Sequence, residues 1–219
     1  MNATYKAFIF DLNGTMIDDM AFHAKAWHYL VNHDLGKVIS EEAVKAEMYG
    51  KNEEVLDRIF GKGRFTAEEY QSLSIEKERR YQQAYLPSLK LIDGLDQFLE
   101  TAYTKHIPMA IGSAAIPFNI DFVLDNLHIR HYINAIVSAD DVKFSKPDPE
   151  TFLKAAALLK IAPEDCLVFE DAPKGVECAM NAGMKAVVLT TTHEAEEFAQ
   201  YNNVVAFIRD YTDERLRNI

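Results

Sequence analysis

Asp11 ends an apolar run, KAFIF, and Asn13, Gly14 and Thr15 follow at once. Other apolar runs lead into groups of related character: Ser113 after AIG, Lys146 in the loop SKPDPE beyond INAIVSA, and Glu170 with Asp171 after LVF. A carboxylate at Asp11 can attack phosphorus and form an aspartyl-phosphate. Two anionic reactants repel, so this chemistry needs a cation, and Asp171 with Glu170 beside it offers the hard oxygen ligands that Mg²⁺ prefers. Ser113 can donate to a phosphoryl oxygen, and Lys146 can neutralise charge that builds up in the transition state. Gly14 lets the backbone approach closely, and Thr15 adds a donor. Taken singly, each has a plainer explanation as a helix cap, a turn residue or a solvated loop charge. Four such features in the order Asp, Ser, Lys, Asp, each beyond a different strand, are hard to obtain by capping alone.

Residues so far apart in sequence need a scaffold that gathers them. Strand-length apolar runs lie at 6–11, 108–113, 133–139, 166–171, 185–190 and 204–208, with helix-length amphipathic stretches such as 147–161 and 172–184 between them. Gly183 is placed as the stop of the latter. The alternation predicts a parallel sheet with helices on both faces, and such sheets bind ligands outside the carboxyl ends of their strands. From Asp18 to Tyr85 no comparable run occurs. Helical patterns cover 20–33, 40–50, 52–61 and 66–85, with N-cap signals at Ser40 and at Thr66, whose partner Glu69 completes a capping-box pattern. The expected organisation is an α/β core built from 1–14 and 88–219, interrupted by an all-helical domain over 15–87.

Composition narrows the function. The chain has 219 residues, 48% of them hydrophobic and 26% charged, as folded globular proteins do. A net charge of −11 and no long basic tract argue against nucleic acid as a partner. A small anion remains compatible if local cations or a metal offset that field. Cys166 and Cys178 match no metal-ligand spacing and read as reduced packing residues. There is no basic leader followed by a long apolar stretch and no run of about 18 apolar residues, so a soluble, cytoplasmic protein without a membrane partner is expected. A monomer is expected as well, without a sequence feature that carries it.

The motifs FDLNGT (10–15), GSA (112–114), SKPDPE (145–150) and FEDAPKGV (169–176) resemble those of the haloacid dehalogenase superfamily of phosphotransferases, and the resemblance covers essentially the whole chain. The helical insertion directly after the first motif is similar to the four-helix cap of the β-phosphoglucomutase branch, which implies a Rossmann-like core with an inserted cap. By this resemblance Asp11 is the nucleophile. Asp11, Asp171 and the backbone carbonyl of Asn13 would ligate Mg²⁺, with Glu170 acting through a metal-bound water. Ser113, with Ala114 and Thr15 alongside, and Lys146 would bind the transferring phosphoryl group.

One position departs from the family pattern. The family has D-x-D, and this chain carries Asn13 where the second aspartate, the family's general acid/base, belongs. An amide has no usable pKa for that task. Asparagine is nearly isosteric and the metal ligand there is a backbone carbonyl, so folding and metal binding should survive. The expectation is an engineered, catalytically impaired variant of an enzyme with aspartate at position 13. A natural pseudoenzyme or binding protein is the other reading.

Substrate choice rests on the helical region. His23, in FHAKAW, matches a histidine of β-phosphoglucomutases that helps orient the acid/base, although Trp27 and Leu30 at i+4 and i+7 also place it on an apolar stripe. Where those mutases have GVSRE, with an arginine gripping a second phosphate, this chain has GKNEE (50–54), with Glu53 at the arginine position and Lys51 and Asn52 as candidate contacts. Their polar SASKN is replaced by the apolar SAAIP (113–117). Glu47 is a candidate for reaching a metal-bound anion, and Lys77, Arg79 and Arg80 are candidate cations for a distal phosphate. A solvated helix face is the plainer explanation for each. A substrate with two phosphoryl groups and no carbon skeleton suits such a cap, and the chain resembles bacterial haloacid dehalogenase-type inorganic pyrophosphatases. Pyrophosphate is therefore the expected substrate. Sugar-phosphate hydrolysis or phosphohexose mutation ranks second, and a nonenzymatic phosphoanion-binding protein third.

Overall fold

All six apolar runs form strands: β1 (Ala7–Phe10), β2 (Met109–Gly112), β3 (Ala135–Val137), β4 (Cys166–Glu170), β5 (Lys185–Leu189) and β6 (Val204–Ile208). Eight α-helices accompany them among the described residues: α1 (Met20–Tyr29), α2 (Glu41–Glu47), α3 (Asn52–Phe60), α4 (Ala67–Tyr85), α5 (Leu95–Thr104), α6 (Pro117–Asn126), α7 (Glu150–Leu159) and α8 (Pro173–Asn181). The computed structural model describes residues 5–218. Residues 1–4 and 219, at the ends of the expected core segments 1–14 and 88–219, lie outside the described residues.

The strands make one parallel sheet in the order β3-β2-β1-β4-β5-β6. The chain winds outward from β1 to β3, then crosses to the other side of β1 to place β4, so the order reverses between β1 and β4. That reversal opens a crevice at the carboxyl edge, the usual ligand site of such sheets. The register Phe10↔Phe169 brings Asp11 and Glu170 to this edge on adjacent strands. Both sheet faces are covered, as strands that are apolar throughout require. On one face Ala7, Ile9 and Val168 join Phe152 of α7 and Val176 and Ala179 of α8 in a continuous core. On the other, Phe10 stacks on Phe169 with ring centroids 4.8 Å apart, and Phe98 of α5 and Tyr211 close around them. Cys166 and Cys178 are free and buried, and burial pushes their thiols up to about 11 and about 12, so they are packing groups and not nucleophiles at neutral pH.

The described residues up to Asp18 and from Lys90 onward form one compact unit, and Asp19–Leu89 forms a second. These limits differ from 14/15 and 87/88 for a physical reason. Thr15 and Met16 are tied to the α/β unit: the Tyr211 hydroxyl donates to the Thr15 carbonyl at 3.1 Å, and the Ile92 amide donates to the Met16 carbonyl at 2.9 Å. At the other boundary a single 3₁₀ turn, Leu86–Ser88, continues α4.

The helical unit has its own apolar core of Trp27, Leu30, Val31, Val44, Val55, Leu56 and Ile59. Its caps follow the sequence signals. The Ser40 hydroxyl accepts from the Ala43 amide at 3.2 Å, and Thr66 and Glu69 each accept from the other's backbone amide, at 3.2 and 2.8 Å. The expected helix over 20–33 is instead α1 followed by a π-helical turn at Leu30–Asp34.

Candidate active site

Asp11 leaves β1 still bonded to its neighbour, its amide donating to the Phe169 carbonyl at 2.9 Å. Lys146 reaches the same crevice from the loop before α7 and donates to Asp11 Oδ1 at 2.7 Å and to Glu170 Oε1 at 2.8 Å. Burial opposes the Lys146 charge, but the carboxylates of Asp11 and Glu170 outweigh it and hold its pKa above that of an ordinary lysine. Glu170 also accepts from the amides of Asp171 and Ala172 through Oε2, at 2.8 and 2.7 Å, at the start of α8. Gly175 makes room for this, since a Cβ there would lie 1.7 Å from Glu170 Oε1.

Asp171 turns towards the loop after β1. The Thr15 hydroxyl donates to its Oδ1 at 3.3 Å. Gly14 adopts φ +75 against it, and a Cβ at Gly14 would lie 2.2 Å from Asp171 Oδ2, so no larger residue fits. Burial, then the Glu170 and Asp11 charges, push the Asp171 carboxyl well above its ordinary value. Asn13 bridges to Ile17 in the same turn. Ser113 is buried at the end of β2, where its hydroxyl accepts from the Ala115 amide at 3.2 Å, with Ala114 between them. Because β2 pairs with β1 in the register Phe10↔Ile111, Ser113 leaves the sheet at the same edge as Asp11.

Three further side chains hold this crevice and were not anticipated. Thr191 donates to the Gly14 carbonyl at 2.5 Å, Thr192 donates to Asp171 Oδ2, and Tyr211 fixes Thr15 as described. The two threonines were legible in principle, because TTTH directly follows β5 at the carboxyl edge of the sheet. Tyr211 carried no such signal, lying beyond β6 in a segment without periodicity.

The candidates in the helical unit separate into two groups. His23, Asn52 and Lys77 belong to one buried polar chain. His23 Nδ1 lies 2.7 Å from Lys77 Nζ, Lys77 donates to Glu78 at 2.9 Å, and Asn52 donates to the same Glu78 oxygen at 2.9 Å. On the other side His23 Nε2 is 3.2 Å from Asp19, which also accepts from the Tyr81 hydroxyl at 2.5 Å. With Lys77 as donor, Nδ1 accepts and Nε2 carries the hydrogen towards Asp19. Burial pulls the Lys77 ammonium down, with Glu78 and Asp19 opposing.

Arg80 and Glu47 stand outside this chain. Arg80 pairs with Asp34 and Glu76 at 3.1 and 3.0 Å and lies over the Tyr29 ring, because these carboxylates are its nearest partners. Glu47 pairs with Arg58 at 3.2 Å, and Arg58 also donates to the carbonyls of Glu47 and Tyr49. Lys51 uses its backbone amide to close the first turn of α3, donating to Glu54 at 2.9 Å.

Mg²⁺ fits the crevice on charge. Asp11, Glu170 and Asp171 set three carboxylates around the ammonium of Lys146, and burial, with the Glu170 and Asp11 charges added to it, raises the Asp171 carboxyl. Among the described residues no three His, Cys, Asp or Glu side chains form a metal cluster. Mg²⁺ does not demand one, since it binds through one or two carboxylates and keeps several waters.

The parallel α/β core thus gathers an acid, a lysine and a second acid at its switch point. The chain belongs to the haloacid dehalogenase-like hydrolase family, whose model matches residues 8–189. It is 32% identical over 187 residues to fructose-1-phosphate phosphatase YqaB of Escherichia coli (strain K12), covering 85% of this chain and 97% of the relative. It is 33% identical over 197 residues to β-phosphoglucomutase of Bacillus subtilis (strain 168), covering 83% and 82%. The crystal structure of β-phosphoglucomutase from Clostridium difficile matches with a TM-score of 0.81 and 28% identity, covering 94% and 92% of the two chains. No helix among the described residues is long and apolar enough to cross a membrane.

Proposed function

We propose that the chain is a Mg²⁺-dependent phosphatase that hydrolyses a small sugar phosphate monoester through an aspartyl-phosphate on Asp11. The observation that carries this reading is Lys146 bridging Asp11 and Glu170 at the switch point. The Asp11 carboxylate attacks phosphorus, the bond to the sugar oxygen breaks, and water then cleaves the aspartyl-phosphate to release phosphate. Lys146 and Ser113 hold the phosphoryl oxygens during both steps. Asp11, Asp171 and the Asn13 carbonyl would hold Mg²⁺, which when bound would supply charge neutralisation between the nucleophile and the phosphoryl group. Glu170 works as a positioning residue: Lys146 and two amides occupy its oxygens, so it anchors the lysine.

The sugar phosphate reading displaces pyrophosphate on two grounds. The relatives above are named for phosphate esters of carbon compounds. Two of the cations expected to grip a second phosphoryl group, Lys77 and Arg80, are engaged by carboxylates within the helical unit. The same commitment, with Glu53 at the arginine position, favours a phosphatase over a mutase, which must hold a bisphosphate.

Asn13 has no proton to transfer near neutral pH, so leaving-group protonation limits turnover in this chain. Phosphate release from a panel of hexose and pentose monophosphates and pyrophosphate, measured with Mg²⁺ for the chain and for Asn13→Asp, tests the reading. Release from sugar monophosphates, abolished by Asp11→Asn, is expected. Cleavage of pyrophosphate alone refutes the substrate class, and activity that survives Asp11→Asn refutes the nucleophile.

A further inference from the structure

The loop TTTH after β5 reaches the same carboxylate that the phosphatase reading assigns to the cation, and nothing in that reading uses it. Thr192 donates to Asp171 Oδ2, also lies 3.2 Å from the Asp171 carbonyl, and has His193 Nδ1 2.9 Å from its hydroxyl oxygen. A hydroxyl has one hydrogen. When that hydrogen points at Oδ2, the threonine oxygen can only accept from His193, so His193 backs the hydroxyl and keeps it aimed at the carboxylate. Gly14 walls off the same oxygen, while Thr15 donates to Oδ1 at the longer distance of 3.3 Å.

We infer that Thr192 is a positioning residue that fixes the Asp171 carboxylate, tying Oδ2 so that Oδ1 is the oxygen presented to a divalent cation. The inference rests on Asp171 being a Mg²⁺ ligand. A carboxylate free to rotate binds a cation less well, and losing such an outer hydrogen bond typically costs about 10–100-fold in metal affinity. The hydroxyl donates to Asp171 Oδ2, so its effect on a cation would pass through that carboxylate.

Calorimetric titration with MgCl₂, paired with thermal melts in metal-free buffer and in excess Mg²⁺, reads this directly. Thr192→Val should weaken Mg²⁺ binding by about 10–100-fold and shrink the Mg²⁺-dependent rise in Tm, with the metal-free Tm close to that of the parent. Thr192→Ser, which keeps the hydroxyl, should restore both. Thr192→Ala gives the same reading if the valine variant does not fold. Parent-like Mg²⁺ affinity in the variants without the hydroxyl, with Asp171→Asn losing binding, overturns the inference and leaves the phosphatase reading standing. A parent chain that binds no Mg²⁺, or binds it equally well as Asp171→Asn, overturns both.

Discussion

Replacing Lys146 with methionine removes the cation that bridges Asp11 and Glu170. Its Nζ lies 2.7 and 2.8 Å from Asp11 and Glu170, and the three side chains are 9%, 11% and 2% exposed, so solvent screens little of the interaction. Breaking a buried pair from one side costs about 3–5 kcal/mol, because charge is left behind without a partner. Lys146→Met should lose about that much stability in metal-free buffer at pH 7.5, read by urea unfolding. The pH dependence identifies the cause. Because the folded-state pKa of Lys146 is raised, its contribution is fully present below the unfolded lysine value of about 10.4 and is lost only as pH rises through the higher folded value. Between pH 5 and 8 the lysine stays charged in the parent, so its contribution to the gap between variant and parent should persist across that range, and Mg²⁺ should recover more stability in the variant than in the parent. Activity should fall by about 10²–10³-fold, as for loss of one preorganised charge donor. A gap below about 1 kcal/mol at pH 7.5, or one lost between pH 5 and 8, would refute the charge-compensation argument.

The Asp171 carboxyl is raised in the folded state, so the metal-free protein should lose stability as pH rises from about 4 through that raised value. Asp171→Asn should flatten this part of the profile, and an unchanged slope in urea melts would assign it elsewhere. Gly14→Ala must place a Cβ 2.2 Å from Asp171 Oδ2 at φ +75, adding about 1–2 kcal/mol of backbone strain to the clash. It should lower the Tm and nearly abolish Mg²⁺ binding, and a variant that binds Mg²⁺ as the parent does would contradict the close approach. Asn13→Asp should raise phosphate release by about 10²–10⁴-fold, least for substrates with good leaving groups. Equal rates would remove any acid/base role for this position.

The sheet was legible in the sequence because strands buried on both faces are apolar without interruption, and Asp11, Ser113 and Asp171 stood out as the polar residues that end such runs. Chain order located the strands but not their neighbours. That Asp11 lies beside Glu170, and not next to a residue nearer in sequence, follows from β4 crossing to the far side of β1. The helical unit was less legible. Lys77 and Arg80 looked alike as cations on α4, yet one closes a buried chain with His23 and Glu78 while the other is held by Asp34 and Glu76. Which carboxylate captures a cation depends on packing between helices, and amphipathic periodicity does not carry that information. Both read as candidate cations for a distal phosphate, and nothing in the periodicity indicates that carboxylates of the same unit hold them.

Glu170 and Asp171 show why two adjacent acids are not two copies of one group. Glu170 is the last residue of β4, and its carboxylate faces the first turn of α8, where two amides and the space left by Gly175 receive it. Asp171 is the first residue past the strand, and its carboxylate faces the other way, towards Gly14, Thr15 and Thr192. Successive residues at a strand end point to opposite sides, so one acid is consumed in holding Lys146 while the next turns, buried, towards the loop after β1. Under the proposed phosphatase function, the charge the sequence repeats is thereby divided between fixing the site's own cation and attracting an external one. This division, and not the number of acids, would let the Asp11 carboxylate approach a phosphate.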